Sequence, residues 1–242
     1  RRGAAIDVIP QLAQETGATA VYWQRAYDPA SQARDAQVKA SLTAMGLEAK
    51  SFKGHLLFEP WTVQTKQGGF YKVYTPLWRA VRDREVPVPL PAPGRIPAPE
   101  TYPSSEALGA WGLGQAMQRG AAIVAGHARV GADLAQERLA EFTSGALRHY
   151  GAGRDIPGED GTSKLAENLA LGEITPAQCW HAAQAELDRG NPGAEIFRKE
   201  LVWREFAYHL LHHTPQILTR NWKPAWDAFP WSEDATSAKF TA

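Results

Sequence analysis

Glu200, Trp203, Arg204 and Ala207 are spaced i, i+3, i+4 and i+7, so on an α-helix they share one face. The segment that carries them, residues 194–213, has no internal Gly or Pro and is long enough for about five helical turns. Val202, Phe206 and Leu210 form one apolar stripe along it, and Phe197, Leu201 and Tyr208 form another. The Glu200 face lies between these stripes. Only the arc of Arg198, Glu205, His209 and His212 is uniformly polar, which predicts that this arc meets water and the remainder is buried. A carboxylate and a guanidinium on a dry face cost free energy unless they pair or a ligand uses them. The plainer alternative is a helix salt bridge, because Glu200 and Arg204 stand at i, i+4 in the favourable order.

A second cluster is Gly161-Thr162-Ser163-Lys164, placed before a predicted helix over 164–171. Free backbone N–H groups, two hydroxyls and a lysine at a helix start suit a phosphate or pyrophosphate. The alternative is a plain N-cap. The spacing is not that of a P-loop, and no GxGxxG occurs. Of the histidines, only His209 and His213 form an i, i+4 pair, without HExxH or a supporting carboxylate pattern, so no metal is expected. Cys179 falls inside a helix that starts with a Thr175–Gln178 capping box and an Ile174–Cys179 staple, and it is assigned no catalytic role.

The elements around these clusters change character along the chain. Residues 6–16 read as a helix stopped by Gly17, residues 18–23 as a buried strand, and Asp28-Pro29 as the start of a helix stopped by Gly46. Residues 50–52 and 55–58 are further strand candidates. This alternation predicts a parallel, doubly wound α/β sheet. Residues 86–103, VPVPLPAPGRIPAPETYP, can continue neither helix nor central strand and read as an extended connector on the surface. Beyond it the pattern is helical: residues 131–148 place Leu134, Leu139, Phe142 and Leu147 near one face, residues 150–157 form a loop, and Pro215 ends the long helix. The expected organisation is an α/β domain over 1–85, a linker over 86–103 and an all-α domain over 104–242.

Lys and Arg number 26 and Asp and Glu number 26, so global charge announces neither nucleic acid nor membrane as a partner. One cysteine excludes an intrachain disulfide and fits a reducing cytoplasm. No apolar run has the length of a membrane span. The chain starts at Arg1 without an initiator Met and stops at Ala242 without an ending motif, so it reads as a piece of a longer protein.

The string Glu200-Leu201-Val202-Trp203-Arg204-Glu205-Phe206 strongly resembles the signature helix of the DNA photolyase/cryptochrome family, in particular bacterial class I cyclobutane pyrimidine dimer photolyases. Tyr150, Arg154, Gly161-Thr162-Ser163-Lys164-Leu165, Leu169 and Gly172-Glu173-Ile174 resemble its flavin-phosphate loop. Ala20-Val21-Tyr22-Trp23, Tyr27-Asp28, Ala33-Arg34-Asp35 and the run from Tyr71 to Pro76 are similar to its antenna domain.

The resemblance implies a partial α/β antenna domain joined to a partial all-α FAD-binding domain. It implies blue-light-driven repair of cyclobutane dimers by an electron from reduced FAD, with damaged DNA as partner, in a monomer. Glu200 and Trp203 would act on the lesion, with Arg154 also on DNA. Tyr150, Thr162, Ser163, Lys164, Leu165, Ala166 and Arg204 would hold FAD; Ala166 stands where the family has Ser. The rival reading is a cryptochrome, a flavin photoreceptor without repair, against which Glu200 and Trp203 speak together. The folate-binding pattern is broken at Ala30, Ser31, Leu218 and Thr219, leaving a differently held folate, a deazaflavin or no antenna chromophore. The family's electron-relay tryptophans are expected beyond Ala242, so Trp222, Trp226 and Trp231 are read as packing residues; a third reading is that the fragment alone is inactive.

Overall fold

Two glycines with left-handed backbones set the first boundaries. In the computed structural model, which describes residues 1–230, helix α1 (Ala5–Thr16) stops at Gly17, whose φ of 63° costs no Cβ clash. Strand β1 (Ala20–Gln24) follows. Asp28 then caps α2 (Pro29–Ala44) by accepting from Ser31 N at 2.8 Å, with Pro29 in the first turn. Gly46, at φ 80°, turns the chain into β2 (Glu48–Phe52). The two strands pair in parallel, Ala20 opposite Glu48 and Gln24 opposite Phe52.

The sheet is covered on one side. Val21, Trp23 and Ala49 pack with Ala13, Val38 and Leu42 beneath the helices. Tyr22 and Phe52 on the other side are exposed and touch edge to face at 5.5 Å. The first strand is therefore half-covered, not buried as expected. The strand expected over 55–58 does not form, because the Leu57 and Phe58 N–H groups are taken by a side chain, Glu205, in place of a neighbouring strand.

Helix α3 (Tyr74–Val81) precedes the proline-rich stretch, and residues 86–103 hold no helix or strand. The helical part comprises α4 (Arg119–Ala125), α5 (Ala132–Ser144), α6 (Tyr150–Gly153), α7 (Ala166–Leu171), α8 (Pro176–Asp188) and α9 (Pro192–His213). The Thr175–Gln178 capping box opens α8 as predicted, and a 3-10 turn, Pro215–Leu218, follows α9. Leu134 is exposed, whereas Ala135 and Arg138 take inward positions with Leu139 and Phe142. The predicted loop over 150–157 begins with the single turn of α6. Trp226 is exposed, Trp222 is half-buried, and Trp231 lies outside the described residues. Among the described residues no helix is long and apolar enough to cross a membrane.

One large core spans the proline-rich stretch, with Leu57, Leu77, Trp78 and Val81 packed with Leu139, Phe142, Leu201 and Val202. Helix α9 runs through it. At its start Gly193 lies so close to the Leu147 carbonyl that any Cβ would collide. Its polar arc is the reverse of the expectation: Arg198, Glu205 and His209 are buried, and only His212 is part-exposed. Each buried member takes up backbone groups from the N-terminal part. Arg198 Nη2 donates to Arg82 O at 2.9 Å, with the guanidinium 3.9 Å from the Trp180 ring centroid. Glu205 Oε2 accepts from Leu57 N at 2.8 Å and Phe58 N at 3.1 Å. His209 Nε2 accepts from Tyr71 N at 3.1 Å.

Burial pushes the Glu205 carboxyl up to about 8, against the pull of these N–H groups and of Arg204. Burial, aided by His213, pushes His209 down to about 4. A carboxyl raised on folding contributes stability that is complete below its unfolded value of about 4.3 and is lost as pH rises through 8. His209 acts with the opposite sign, so the difference between parent and Glu205→Gln isolates the carboxyl. Glu205→Gln keeps an acceptor and removes the titration; its stability, from denaturant curves at several pH values, is expected to gain on the parent between about pH 5 and 8. Glu205→Leu leaves two buried N–H groups unpaired, at roughly 1–3 kcal/mol each.

Candidate functional site

The face of α9 expected to be dry is its more open one. Trp203 is 46% exposed and Ala207 is exposed. Glu200 is part-exposed and ion-pairs with Arg154, the residue that ends α6. The i, i+4 bridge from Glu200 to Arg204 does not form. Arg154 also lies over the Tyr150 ring, 5.8 Å from its centroid, and near Asp155 at 3.5 Å. Its bond to Glu200 raises the Arg154 pKa, so the guanidinium stays charged. Both members of the pair keep about a third of their side chains in water, which makes the bridge weak and exchangeable. The Trp203 indole lies flat on Tyr74, centroids 3.8 Å apart and planes 6° apart. Structure thus joins Glu200, Trp203 and Arg154, and adds Tyr74.

Arg204 is engaged elsewhere. Its Nη1 donates to His55 O at 2.7 Å and approaches Glu205 Oε1 at 3.3 Å, and its Nη2 donates to His55 Nε2 at 2.8 Å. An arginine only donates, so His55 Nε2 accepts and the imidazole proton sits on Nδ1. Burial and the adjacent Arg204 lower the His55 pKa accordingly. Tyr208 O–H lies 2.7 Å from the same nitrogen. A cavity of about 570 Å³ opens here, lined by Arg25, Tyr27, His55, Tyr208 and Leu218 among others. No described hydrogen bond joins Arg204 to residues 162–166.

The Gly161 loop departs from its predicted form. Lys164 has φ 51°, a left-handed backbone, so α7 begins at Ala166 and Leu165 gives no side-chain cap. Neither Thr162 nor Ser163 caps a helix. Arg138 shapes the loop instead: its Nη1 donates to Lys164 O at 2.6 Å, Glu167 Oε1 at 2.6 Å and Asn168 Oδ1 at 2.9 Å. Asn168 Nδ2 donates in turn to Arg129 O at 2.8 Å and Glu173 Oε2 at 2.7 Å. Gly161 packs on the Gly153 backbone, where a Cβ would meet the Gly153 carbonyl.

Beside this loop lies a polar cavity of about 390 Å³, lined by His127, Arg129, Arg138, Thr162, Ser163 and Lys164 among others. Its cations are balanced, Arg129 by Glu137 and Glu141 and Lys164 by Asp160 at 2.7 Å. The Thr162 and Ser163 hydroxyls line the cavity without a hydrogen-bond partner among the described residues, which fits a segment rich in acceptors such as a diphosphate. Of the residues expected to hold a cofactor, Thr162, Ser163 and Lys164 line this space. Leu165 is buried in the core, the Ala166 side chain is exposed, and Tyr150 belongs to an aromatic cluster with Phe142 and Phe197.

Sequence reasoning missed Arg138, although it sits four residues before Phe142 on the apolar stripe of α5, where a charge needs a partner. Tyr74 lies within the run from Tyr71 to Pro76, to which the sequence assigns no site role. Burial pushes the Cys179 thiol up to about 12, which keeps it inert. Among the described residues no three His, Cys, Asp or Glu side chains are grouped to hold a metal. Arg138→Ala strands the Lys164 carbonyl and Asn168 amide and is expected to cost about 2–3 kcal/mol in denaturant titrations, with faster proteolysis at 160–166. Thr162→Ala, which removes no hydrogen bond among the described residues, should stay within about 0.5 kcal/mol of the parent.

Residues 1–94 match the sequence family DNA photolyase, and residues 197–242 match the FAD binding domain of DNA photolyase. A deoxyribodipyrimidine photo-lyase of Agrobacterium fabrum is 43% identical over 240 residues, 98% of this chain and 50% of that protein. An uncharacterized Synechococcus protein is 34% identical over 85% of this chain and 73% of its own length. The crystal structure of a bacterial class III photolyase from Agrobacterium tumefaciens superposes with a TM-score of 0.86 at 40% identity, over 98% of this chain and 50% of that one. The class I expectation finds no support in these matches, since that solved structure is of class III. The chain spans about half the length of the curated photo-lyases it matches.

Proposed function

The chain belongs to the DNA photolyase family, and on that premise we propose that the protein carrying it repairs cyclobutane pyrimidine dimers in DNA under blue light, with FAD as cofactor. Within the family the reading is class III, supported by the 40% identity to the solved class III structure. The observation that carries the activity is the open edge of α9, where an exposed indole, a carboxylate and a solvent-accessible guanidinium lie together.

Bound in its reduced form, FAD would supply the electron chemistry for splitting the dimer, held by the residues lining the cavity at Thr162, Ser163 and Lys164. The chain's own residues do the rest. Thr162 and Ser163 offer hydroxyls and Lys164 a charge to the FAD phosphates. Trp203 offers its open face to the flipped lesion, where stacking contributes roughly 1–3 kcal/mol per base. Flipping a damaged, already weakened pair costs only a few kcal/mol, so this face offsets much of it. Arg154 exchanges its carboxylate partner for a DNA phosphate, at little cost because about a third of each side chain of the bridge is already in water. That exchange frees Glu200 to hydrogen-bond the edge of the flipped base. The cavity at Arg25, Tyr27, His55, Tyr208 and Leu218 is the space this chain offers an antenna chromophore, folate or deazaflavin. The reading extends to a monomer in the cytoplasm, with which the free, buried cysteine of this chain agrees.

The test is loss of dimers from irradiated DNA under blue light, read alongside flavin absorbance. Glu200→Ala is expected to lower repair yield with flavin content unchanged, and equal loss of both would overturn its role. A parent protein that holds flavin and repairs nothing would instead select a light receptor. Arg154→Ala should weaken damaged and undamaged DNA alike and reduce the slope of log affinity against log salt by about 1.

A further inference from the structure

We propose that Tyr74 is a positioning residue for the reaction: it backs the Trp203 indole and sets the plane on which the flipped pyrimidine stacks. The inference rests on the reading that Trp203 is the base platform. Tyr74 comes from the segment before the proline-rich stretch, on α3, and so reaches the site across the join between the two parts of the chain. Its ring covers one face of the indole at a centroid distance of 3.8 Å and a tilt of 6°. Phe206 meets both rings edge on, 5.7 Å from Trp203 and 6.1 Å from Tyr74. One indole face is therefore covered by the Tyr74 ring, while Trp203 as a whole stays 46% exposed.

The phenol is itself anchored. Tyr74 O–H donates to Lys199 O at 2.8 Å, the carbonyl to which helical i to i−4 bonding sends the Trp203 N–H. One backbone oxygen thus fixes both the base of the indole and the far end of the ring behind it. Burial and the nearby Glu200 raise the phenol pKa, so this donation persists at every working pH. An indole backed in this way cannot tilt away from an incoming base, and less freedom is lost when the base stacks. A lone exposed tryptophan would have to be ordered at the moment of binding.

The experiment measures dissociation constants in the dark for the parent protein, Tyr74→Phe, Tyr74→Leu and Trp203→Leu, each with a dimer-containing duplex and the same duplex undamaged. The quantity read is the ratio of the two constants. Tyr74→Leu is expected to reduce this preference for damage about five- to tenfold, Tyr74→Phe to keep it within about threefold, and the double variant Tyr74→Leu/Trp203→Leu to be no worse than Trp203→Leu alone. An unchanged ratio in Tyr74→Leu, or an equal weakening of both duplexes, overturns the positioning role if Trp203→Leu does lose the preference. If Trp203→Leu keeps the full preference, the platform reading itself fails, and the role of Tyr74 falls with it.

Discussion

A buried carboxyl group that takes two backbone N–H groups from a distant loop is the interaction on which the arrangement depends. Glu205 binds Leu57 N and Phe58 N, and no strand or helix supplies those groups with another acceptor. Arg198 at Arg82 O and His209 at Tyr71 N extend the same seam along α9. A hydrogen bond of this kind contributes about 0.5–1.5 kcal/mol net, and removing one partner strands a buried polar group at about 1–3 kcal/mol. The seam therefore fixes both where the N-terminal part sits and how α9 is rotated about its axis. At about 100° per residue, turning Glu205 inward places Glu200 roughly 140° away, on the open edge. The site faces outward because the seam faces inward.

On that open edge the groups are held in a state that a ligand can rearrange. Glu200 and Arg154 neutralise each other near the surface, so neither carries the penalty of an unpaired buried charge. Trp203 has protein behind it and water in front. The loop over 160–166 is held from below by Arg138 and Asn168, which leaves the Thr162 and Ser163 hydroxyls uncommitted. Rigid support beneath and unsatisfied polar groups above is the arrangement a binding site requires.

Local chemistry was legible in the sequence and tertiary partners were not. Asp28 before Pro29, Gly17 and the Thr175–Gln178 box fixed element ends because caps act within three or four residues. The long helix was placed almost to the residue. Its orientation was inverted, since a helical wheel says which residues share a side and not what that side meets. Arg198, Glu205 and His209 look like a solvated arc until the Leu57, Phe58, Tyr71 and Arg82 backbone groups are known to need partners. The same side-chain capture explains why residues 55–58 are not a strand. At Gly161-Thr162-Ser163 the local rule failed because Lys164 adopts a left-handed backbone, with its carbonyl bound to Arg138 from another helix. The motif strings placed the chain in its family, named a class that the matches do not support, and gave Tyr74 no role.

The most direct measurement is a crystal structure of the protein carrying this chain bound to a duplex with one cyclobutane dimer. The account predicts the dimer flipped out onto the open face of Trp203, within hydrogen-bond reach of Glu200, with Arg154 on a phosphate and Glu205 still holding Leu57 and Phe58. DNA seated away from this edge, or Glu200 and Arg154 still paired beneath an untouched indole, would contradict it.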